Sequence, residues 1–415
     1  MANTNYKYLI VGAGQAGCRA ALALREADPE GNVMMIGSER HPPYERPALS
    51  KGVMSGNSAP QSVIIRQVDE LGELGIETLL GHTVVQIDPE NHIAILDDDS
   101  HISFNKLLLA TGSIARQLAV PGADLDNIHT LRTLDDSLAI SHNLSLCQNL
   151  AIIGAGFIGL EVAATASERF GCNVTVVEAG TGILQRGVPD ELREAIQNLH
   201  SAKGTRFHFT ESVSSFKGNG KLEQLRLASG KVLEADCAII GIGVVPDTSL
   251  AERAGLEVSN GIVVNEYGET SHPDIFAAGE VTHHRNLFLG NSQRFESWQI
   301  AQNQSVVAAK SMIGEKQAYD EIPWFWTDQF GYNFQLIGST KTNGEKVTRA
   351  YDGSQRSTTF YLENSDVVGA LCINSGKDVA LVRKAIRSGM NVTREQLADP
   401  SVNLKRHITK QKSAA

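Results

Sequence analysis

Cysteine is scarce in this chain: five among 415 residues, at Cys18, Cys147, Cys172, Cys237 and Cys372, with no C-x-x-C pair. Such scatter argues against a disulfide framework and against an iron–sulfur cluster held by this chain, and it fits a reducing cytoplasm. Long apolar runs are missing too, and none reaches the roughly 20 residues a membrane helix needs. The polar stretch from Ala2 to Lys7 lacks the basic start and cleavage site of a secretory signal. Positive charge is in the minority. Lys plus Arg is 37 against 47 for Asp plus Glu, a formal net charge of −10, which argues against a nucleic-acid binder. An acidic protein partner is still compatible, because docking needs only a local basic patch. A metal site is not expected: His283 and His284 are neighbours in an expected loop, without ligand geometry or a clear third ligand.

What is present is a normal apolar share, 42%, enough for two or three domains of roughly 100–200 residues. Tyr8-Leu9-Ile10-Val11 predicts a buried parallel strand. Gly12, Gly14 and Gly17 then spell G-x-G-x-x-G and open a helix through Cys18 to Arg25. Gly12 permits the tight turn, Gly14 lets the backbone approach a pyrophosphate, and Gly17 lets helix and strand pack closely. The free amides at the helix start, around Gln15 and Ala16, would receive the pyrophosphate. Asn32 to Ile36 predicts the next strand, and Ser38 and Glu39 follow it at the place where a ribose is bound. The pattern recurs. Ile152-Ile153 precede Gly154, Gly156 and Gly159, with Phe157 and Ile158 between the glycines, and Asn173 to Val177 predicts the strand that ends at Glu178. A carboxylate there accepts both ribose hydroxyls and repels a 2′-phosphate, and no basic residue follows directly, so NADH is expected over NADPH. Two such units imply two dinucleotides, one held and one exchanged.

Further motifs fall between and after these units. His41 to Lys51 reads His-Pro-Pro-Tyr-Glu-Arg-Pro-Ala-Leu-Ser-Lys, with Ser50 placed to cap a short helix. Thr83–Ile87 and Ile93–Leu96 alternate like an antiparallel excursion, and Lys106 to Gly112 ends in Ala110-Thr111-Gly112. Leu131-Arg132-Thr133, Cys237 to Ile240 with Gly241-Ile242-Gly243, Ile275 to Val281 with Glu280, and Phe295-Glu296-Ser297-Trp298 come next. Pro323-Trp324-Phe325-Trp326-Thr327-Asp328-Gln329 precedes short strands at Phe334–Gly338, Thr358–Leu362 and Val367–Ile373, then helices at Lys377–Ser388 and Arg394–Ala398. The basic tail, Lys405-Arg406-His407 with Lys410 and Lys412, reads as a frayed, solvated end.

Taken together these motifs resemble, over nearly the whole chain, the NADH-dependent ferredoxin reductases of bacterial aromatic-ring oxygenase systems, the family of putidaredoxin reductase and biphenyl dioxygenase ferredoxin reductase. The family's P-Y-x-R-P-P-L-S-K is met at Pro43, Tyr44, Arg46, Pro47, Leu49, Ser50 and Lys51, with a departure at Ala48. The resemblance implies an α/β, glutathione-reductase-like fold with two Rossmann-type dinucleotide-binding domains and a C-terminal α+β domain. It divides the chain as 1–116 and 245–325 for FAD, 117–244 for NAD and 326–415 for the C-terminal domain.

By resemblance Lys51 lies beside the flavin, where a cation stabilises its reduced anionic form. Arg46, Val84, Arg132, Trp298, Trp326 and Glu280 would also contact FAD; Glu280 stands where the family has aspartate. Glu161 would face the nicotinamide, and the backbone at Ile242 and Gly243 would lie near it. Related NADH oxidases and disulfide reductases carry a redox cysteine shortly after the second strand, and here none lies between Cys18 and Cys147. The activity implied is NADH-dependent reduction of a [2Fe–2S] ferredoxin through FAD, feeding an aromatic-ring dioxygenase or a cytochrome P450 across a small, salt-sensitive docking surface. A rubredoxin reductase, or a non-catalytic NADH sensor resembling apoptosis-inducing factor, would share the motifs.

Overall fold

The computed structural model describes residues 5–409 except 186, 342, 343, 352 and 354. Lys410 and Lys412 of the basic tail lie outside the described residues. The chain divides into two compact units, one made of 1–48, 58–114 and 244–321, the other of 49–57, 115–243 and 322–415.

In the first unit the strand Asn5–Val11 pairs in parallel with Val33–Gly37 on one side and His101–Leu109 on the other. Ile76–Leu80 extends the sheet beyond Val33–Gly37. Beyond His101–Leu109 the sheet forks: Ile275–Ala277 adds in parallel to the end of that strand, and Ile93–Leu96 with Val84–Asp88 adds antiparallel to its start. The parallel strands read as near-continuous apolar runs because both faces are covered; Leu9, Ile10, Leu107, Leu108 and Leu109 are fully buried. On one face lies the helix Gln15–Ala27, whose Cys18, Ala20 and Ala21 share a core with Ala308, Ala309 and Met312 of the helix Trp298–Met312. Small side chains on the first helix allow that approach.

A second, smaller sheet in the same unit joins Val258–Ser259, Gly261–Val264, Thr282–Asn286 and Asn291–Gln293. His283 and His284 therefore belong to a strand and not to a loop. Alternation sends them to opposite faces, and His284 is buried against Phe295 and Tyr319.

The second unit is built on a parallel sheet in the order Arg206–Phe209, Asn173–Glu178, Asn149–Ile153, Cys237–Ile240, Ile128–Thr130. A three-stranded antiparallel sheet, Val213–Lys217, Gln224–Leu227 and Val232–Glu234, packs beside it. Its third sheet is antiparallel, in the order Trp324–Gln329, Tyr332–Gly338, Asp366–Ile373, Ser357–Glu363, Lys346–Ala350, with the helix Gly376–Ser388 packed on it. Trp324–Gln329 and Lys346–Ala350 escape the period-two reading. The first is apolar or aromatic on both faces at its start, and the second is short and carries a charged residue, Arg349, on its buried face.

The tail departs from the frayed end expected. Leu404 is buried, Leu404–His407 forms a 3-10 turn, and Arg349 donates to the Val402 carbonyl at 2.7 Å. Backbone hydrogen bonds from the Asn391 amide to the His407 carbonyl and from the Thr409 amide to the Gly389 carbonyl pair this end with the chain at 389–391, while Lys405 and Arg406 stay exposed.

Residues 49–57 are tied into the second unit by side chains from two helices. Ser137 Oγ donates to the Leu49 carbonyl (2.7 Å), Thr165 Oγ1 to the Ser50 carbonyl (2.8 Å) and Arg169 Nε to the Ser55 carbonyl (2.9 Å). Met54 is fully buried in the core of this unit. Thr165 ends the helix Phe157–Thr165, which continues as a single π-turn, Ala166–Phe170, carrying Arg169. Such turns recur where a helix must re-aim its side chains.

Candidate active site

Both glycine turns have the local form their spacing demands. Gly12 has φ +115° and Gly154 φ +101°, conformations that side chains resist. A Cβ on Gly17 would lie on the Gly12 carbonyl oxygen, and one on Gly159 would lie against Gly154. The middle glycines differ. Each is the N-cap of its helix with no side-chain cap, and a Cβ on Gly14 would meet no protein atom, one on Gly156 only the Gly241 carbonyl at 3.8 Å. Unfilled space in front of uncapped helix amides suits an anionic pyrophosphate. In the first turn, Gln15 Nε2 donates to Gln302 Oε1, while Gln15 Oε1 is buried with no protein partner. Ala16 is buried behind it. The residues present thus fit a dinucleotide at each turn.

The acidic residues after each second strand are already engaged. Glu39 accepts from Tyr44 Oη at 2.5 Å and from Arg46 at 2.6 Å, and the Arg46 guanidinium lies 5.1 Å from the centre of the Tyr44 ring. This ties the Pro43–Arg46 segment to the strand end, a link the sequence does not announce. Ser38 beside it is exposed. Glu280 follows Gly279, whose amide donates to Gln304, and lies within electrostatic reach of Arg46. Glu178 accepts from the Ala155 amide and the Gly180 amide, each at 2.7 Å. A carboxylate offers about four acceptor positions, so both Glu39 and Glu178 retain capacity for hydroxyl donors.

The remaining predicted residues of the first unit take backbone-defined places. Val84 is buried at the start of its strand. Ala110 donates its amide to Val11 and its carbonyl is what excludes a Cβ from Gly12; Thr111 Oγ1 donates to the Asp247 carbonyl at 2.7 Å, and Gly112 turns with φ +72°. Trp298 is the first residue of its helix, which Ser297 caps by accepting from the Ile300 amide.

In the second unit, Arg132 donates its amide to Asp136 at 2.9 Å, just ahead of the Thr133 capping box. Phe157 packs on Phe325 with ring centres 4.4 Å apart. Trp326 stacks on Trp324 (4.9 Å, 23°), and Trp324 donates to Gln335. Ile158 and Ile242 stay 46% and 37% exposed beside the second glycine turn, and Gly243 faces open space. Two exposed aliphatics there offer apolar surface to a flat ring.

The least expected geometry centres on Glu161. It is 4% exposed, so it is no helix-surface charge. Lys51 Nζ lies 2.8 Å from Oε1, Thr327 Oγ1 donates to the same oxygen at 2.6 Å, and Ser50 Oγ donates to Oε2 at 2.5 Å. Ser50 therefore caps nothing. The short helix Gly52–Ser55 has Lys51 at its N-cap and no side-chain cap, and the serine hydroxyl serves the carboxylate instead. A buried carboxylate paired with a partly exposed lysine and given two added hydroxyl donors meets the condition under which burying its charge is tolerated.

Residues 6–305 match the family described as Pyridine nucleotide-disulphide oxidoreductase, and residues 324–408 match the family described as Reductase C-terminal. The chain belongs to the pyridine nucleotide-disulphide oxidoreductases. It is 38% identical over 402 residues to the anthranilate 1,2-dioxygenase system ferredoxin–NAD(+) reductase component of Burkholderia cepacia, covering 96% of this chain and 98% of that one. It is 34% identical over 405 residues to rhodocoxin reductase of Rhodococcus erythropolis, covering 97% and 95%. Among solved structures, the ferredoxin reductase for the CYP199A2 system from Rhodopseudomonas palustris superposes with a TM-score of 0.91 at 33% identity, over 97% of this chain and 100% of that one. The covalent putidaredoxin reductase–putidaredoxin complex gives 0.90 at 31%, over 98% and 99%.

For a member of a family named after disulphides, this oxidoreductase has unsuitable thiols. All five cysteines are free. Burial pushes the Cys18 thiol up to about 11 and the Cys372 thiol up to about 12. Cys147, Cys172 and Cys237, scattered in sequence, come together at the N-terminal ends of neighbouring parallel strands, the end opposite the glycine turn. A hydrogen bond to Cys147, then burial, raises the Cys172 thiol, which therefore stays protonated near neutral pH. No helix among the described residues is long and apolar enough to cross a membrane.

Proposed function

We propose that this chain is an NADH-dependent ferredoxin reductase, passing electrons through FAD to a [2Fe–2S] ferredoxin that serves an aromatic-ring dioxygenase or a cytochrome P450 in the cytoplasm. The Lys51–Glu161 pair, with its carboxylate buried, carries the reading: redox work is organised around a held charge pair, not a thiol. The relatives named above, reductase components of dioxygenase and P450 systems, support the partner class.

In this reading FAD belongs to 1–116 with 245–325, NADH to 117–244, and 326–415 forms the C-terminal domain. The first glycine turn with Gln15, Ala16, Glu39, Arg46 and Glu280 would hold FAD, and the second turn with Glu178 would hold NADH. When bound, FAD accepts a hydride from NADH and releases its two electrons singly. The protein's own contribution is positioning and fixed charge. Glu178 selects the ribose with a free 2′-hydroxyl. Glu161 orients the amide end of the nicotinamide, and Lys51 supplies positive charge where reduction builds negative charge. No side chain forms a covalent bond.

The test is anaerobic stopped-flow reduction of the purified yellow protein by NADH, followed by mixing with [2Fe–2S] ferredoxins and rubredoxins. Fast bleaching and fast reoxidation by a ferredoxin is the expected result. Slow bleaching, or reduced flavin that no iron protein reoxidises, would sink the reading in favour of a sensor.

A further inference from the structure

A line of buried polar groups leaves Glu161 from Oε1, the oxygen that also faces Lys51, and hydride transfer as described gives it no role. Thr327 Oγ1 donates to Glu161 Oε1 (2.6 Å), Gln329 Nε2 donates to Thr327 Oγ1 (3.0 Å), and Gln329 Oε1 meets His200 Nε2 (2.7 Å). His200 Nδ1 meets Thr205 Oγ1 at 3.3 Å. Thr327, Gln329 and His200 are each 2% exposed or less. The imidazole is walled by Phe330 and Phe207, with ring centres 4.8 and 6.2 Å away. An aliphatic side chain would fill this wall at lower desolvation cost, so a fully paired histidine in it calls for a reason.

The chemistry of each member fixes the direction of every bond. An ionised carboxylate only accepts, so Thr327 must donate to it. The Thr327 oxygen then receives a donor, which is the amide nitrogen of Gln329. That turns the Gln329 oxygen toward His200, which must carry its proton on Nε2 and accept from Thr205 on Nδ1. One end of the line is the site's carboxylate and the other is a ring with two tautomers. If His200 lost its Nε2–H, the Gln329 amide would turn over, Thr327 would donate to Gln329, and Glu161 would keep two of its three donors.

We propose that His200, held as its Nε2–H tautomer, is a positioning residue for Glu161, acting through Gln329 and Thr327 to keep a hydroxyl donor on that carboxylate. This rests on the reading of Glu161 as the nicotinamide-side carboxylate. Networks of this kind are stronger than their separate bonds because each member orients the next.

The test uses flavin-loaded enzyme with NAD+ and NADH. In H200F the ring has no N–H. NAD+ affinity by titration calorimetry and the anaerobic flavin-reduction rate are together expected to fall about tenfold, whereas H200Q, whose amide N–H replaces the ring's, stays within about twofold. T327V cuts the line one bond from the carboxylate and reproduces the loss, and H200F added to T327V costs nothing more. Nitrogen-15 histidine NMR is expected to show His200 protonated on Nε2. An Nδ1–H tautomer, or losses that add in H200F/T327V, overturns the proposal even if H200F proves poorly folded. E161Q separates the two layers: if it leaves affinity and reduction rate unchanged, the role of Glu161 fails, and with it the relay. If E161Q lowers them and H200F and T327V do not, the relay alone fails.

Discussion

Lys51 Nζ lies 2.8 Å from Glu161 Oε1, and the two residues come from segments 110 positions apart that meet inside one compact unit. Ser50 and Thr327 complete the carboxylate's shell. The pair is expensive to break and cheap to replace whole, because the Lys51 charge is what makes the burial of the Glu161 carboxylate tolerable.

Removing one partner is therefore expected to destabilise the second unit more than removing both. K51M, leaving Glu161 charged and buried, should cost about 3–5 kcal/mol, and K51M/E161L should recover most of it. Both variants should reduce flavin slowly. Denaturant unfolding followed by far-ultraviolet dichroism measures the first claim. A double variant less stable than K51M would refute it.

Glycines of one motif are expected to fail differently. In G17A the new methyl meets the Gly12 carbonyl, so the backbone must shift and the thermal midpoint drops. In G14A the methyl meets nothing, so the apoprotein unfolds within about 1 kcal/mol of the parent while purifying with little flavin. Flavin absorbance per protein, with the midpoint of the apo form, separates the two. Full flavin content in G14A would mean the pyrophosphate does not lie there.

The glycine turns were legible because local backbone sterics dictate them. A buried strand, a positive-φ glycine and a close helix leave the chain little choice. Lys51 and Glu161 were singled out one at a time, but not as a pair. Period and propensity carry no information about which of two distant segments meet, and Ser50 looked like a cap because the alternative acceptor lies 111 residues away. His200 gave no signal, since a histidine late in a helix is ordinary until the strand carrying Gln329 is laid against it. Cys147, Cys172 and Cys237 looked dispersed for the same reason: a parallel sheet gathers the starts of strands that sequence separates.

Glu178 should govern coenzyme choice. With both oxygens bonded to turn amides and free capacity left for ribose hydroxyls, E178Q is expected to raise the KM for NADH about tenfold with little change in kcat. It should also narrow the preference over NADPH, since a charge that repels the 2′-phosphate is gone. Steady-state ratios of kcat/KM for the two coenzymes report this. An unchanged ratio would remove Glu178 from the specificity role.

Thiol blocking is expected to leave the enzyme working. Cys18 and Cys372 are buried with proton affinities raised to about 11 and about 12, so almost no thiolate exists near neutral pH. Incubation with N-ethylmaleimide should preserve the rate of flavin reduction by NADH. Stoichiometric loss of that rate would point to a thiol relay after all.

Acid should destabilise the fold in a window set by two buried histidines. His200 and His284 are each lowered by burial from 6.5 to about 4. Both are neutral in the native state at neutral pH, while in the unfolded chain they protonate near 6.5. Above that value neither state binds the proton and stability is full. Between about 6.5 and about 4 the unfolded chain binds more protons, so stability falls as pH falls; below about 4 the loss levels off. Each residue accounts for on the order of 3 kcal/mol across the window. Carboxylates held low by hydrogen bonds, such as Asp28, act only further down. Unfolding midpoints measured from pH 7.5 to 4 should therefore fall, and fall less in H200Q and less again in H200Q/H284Q. Parallel curves for all three would show that neither histidine is kept neutral by the fold.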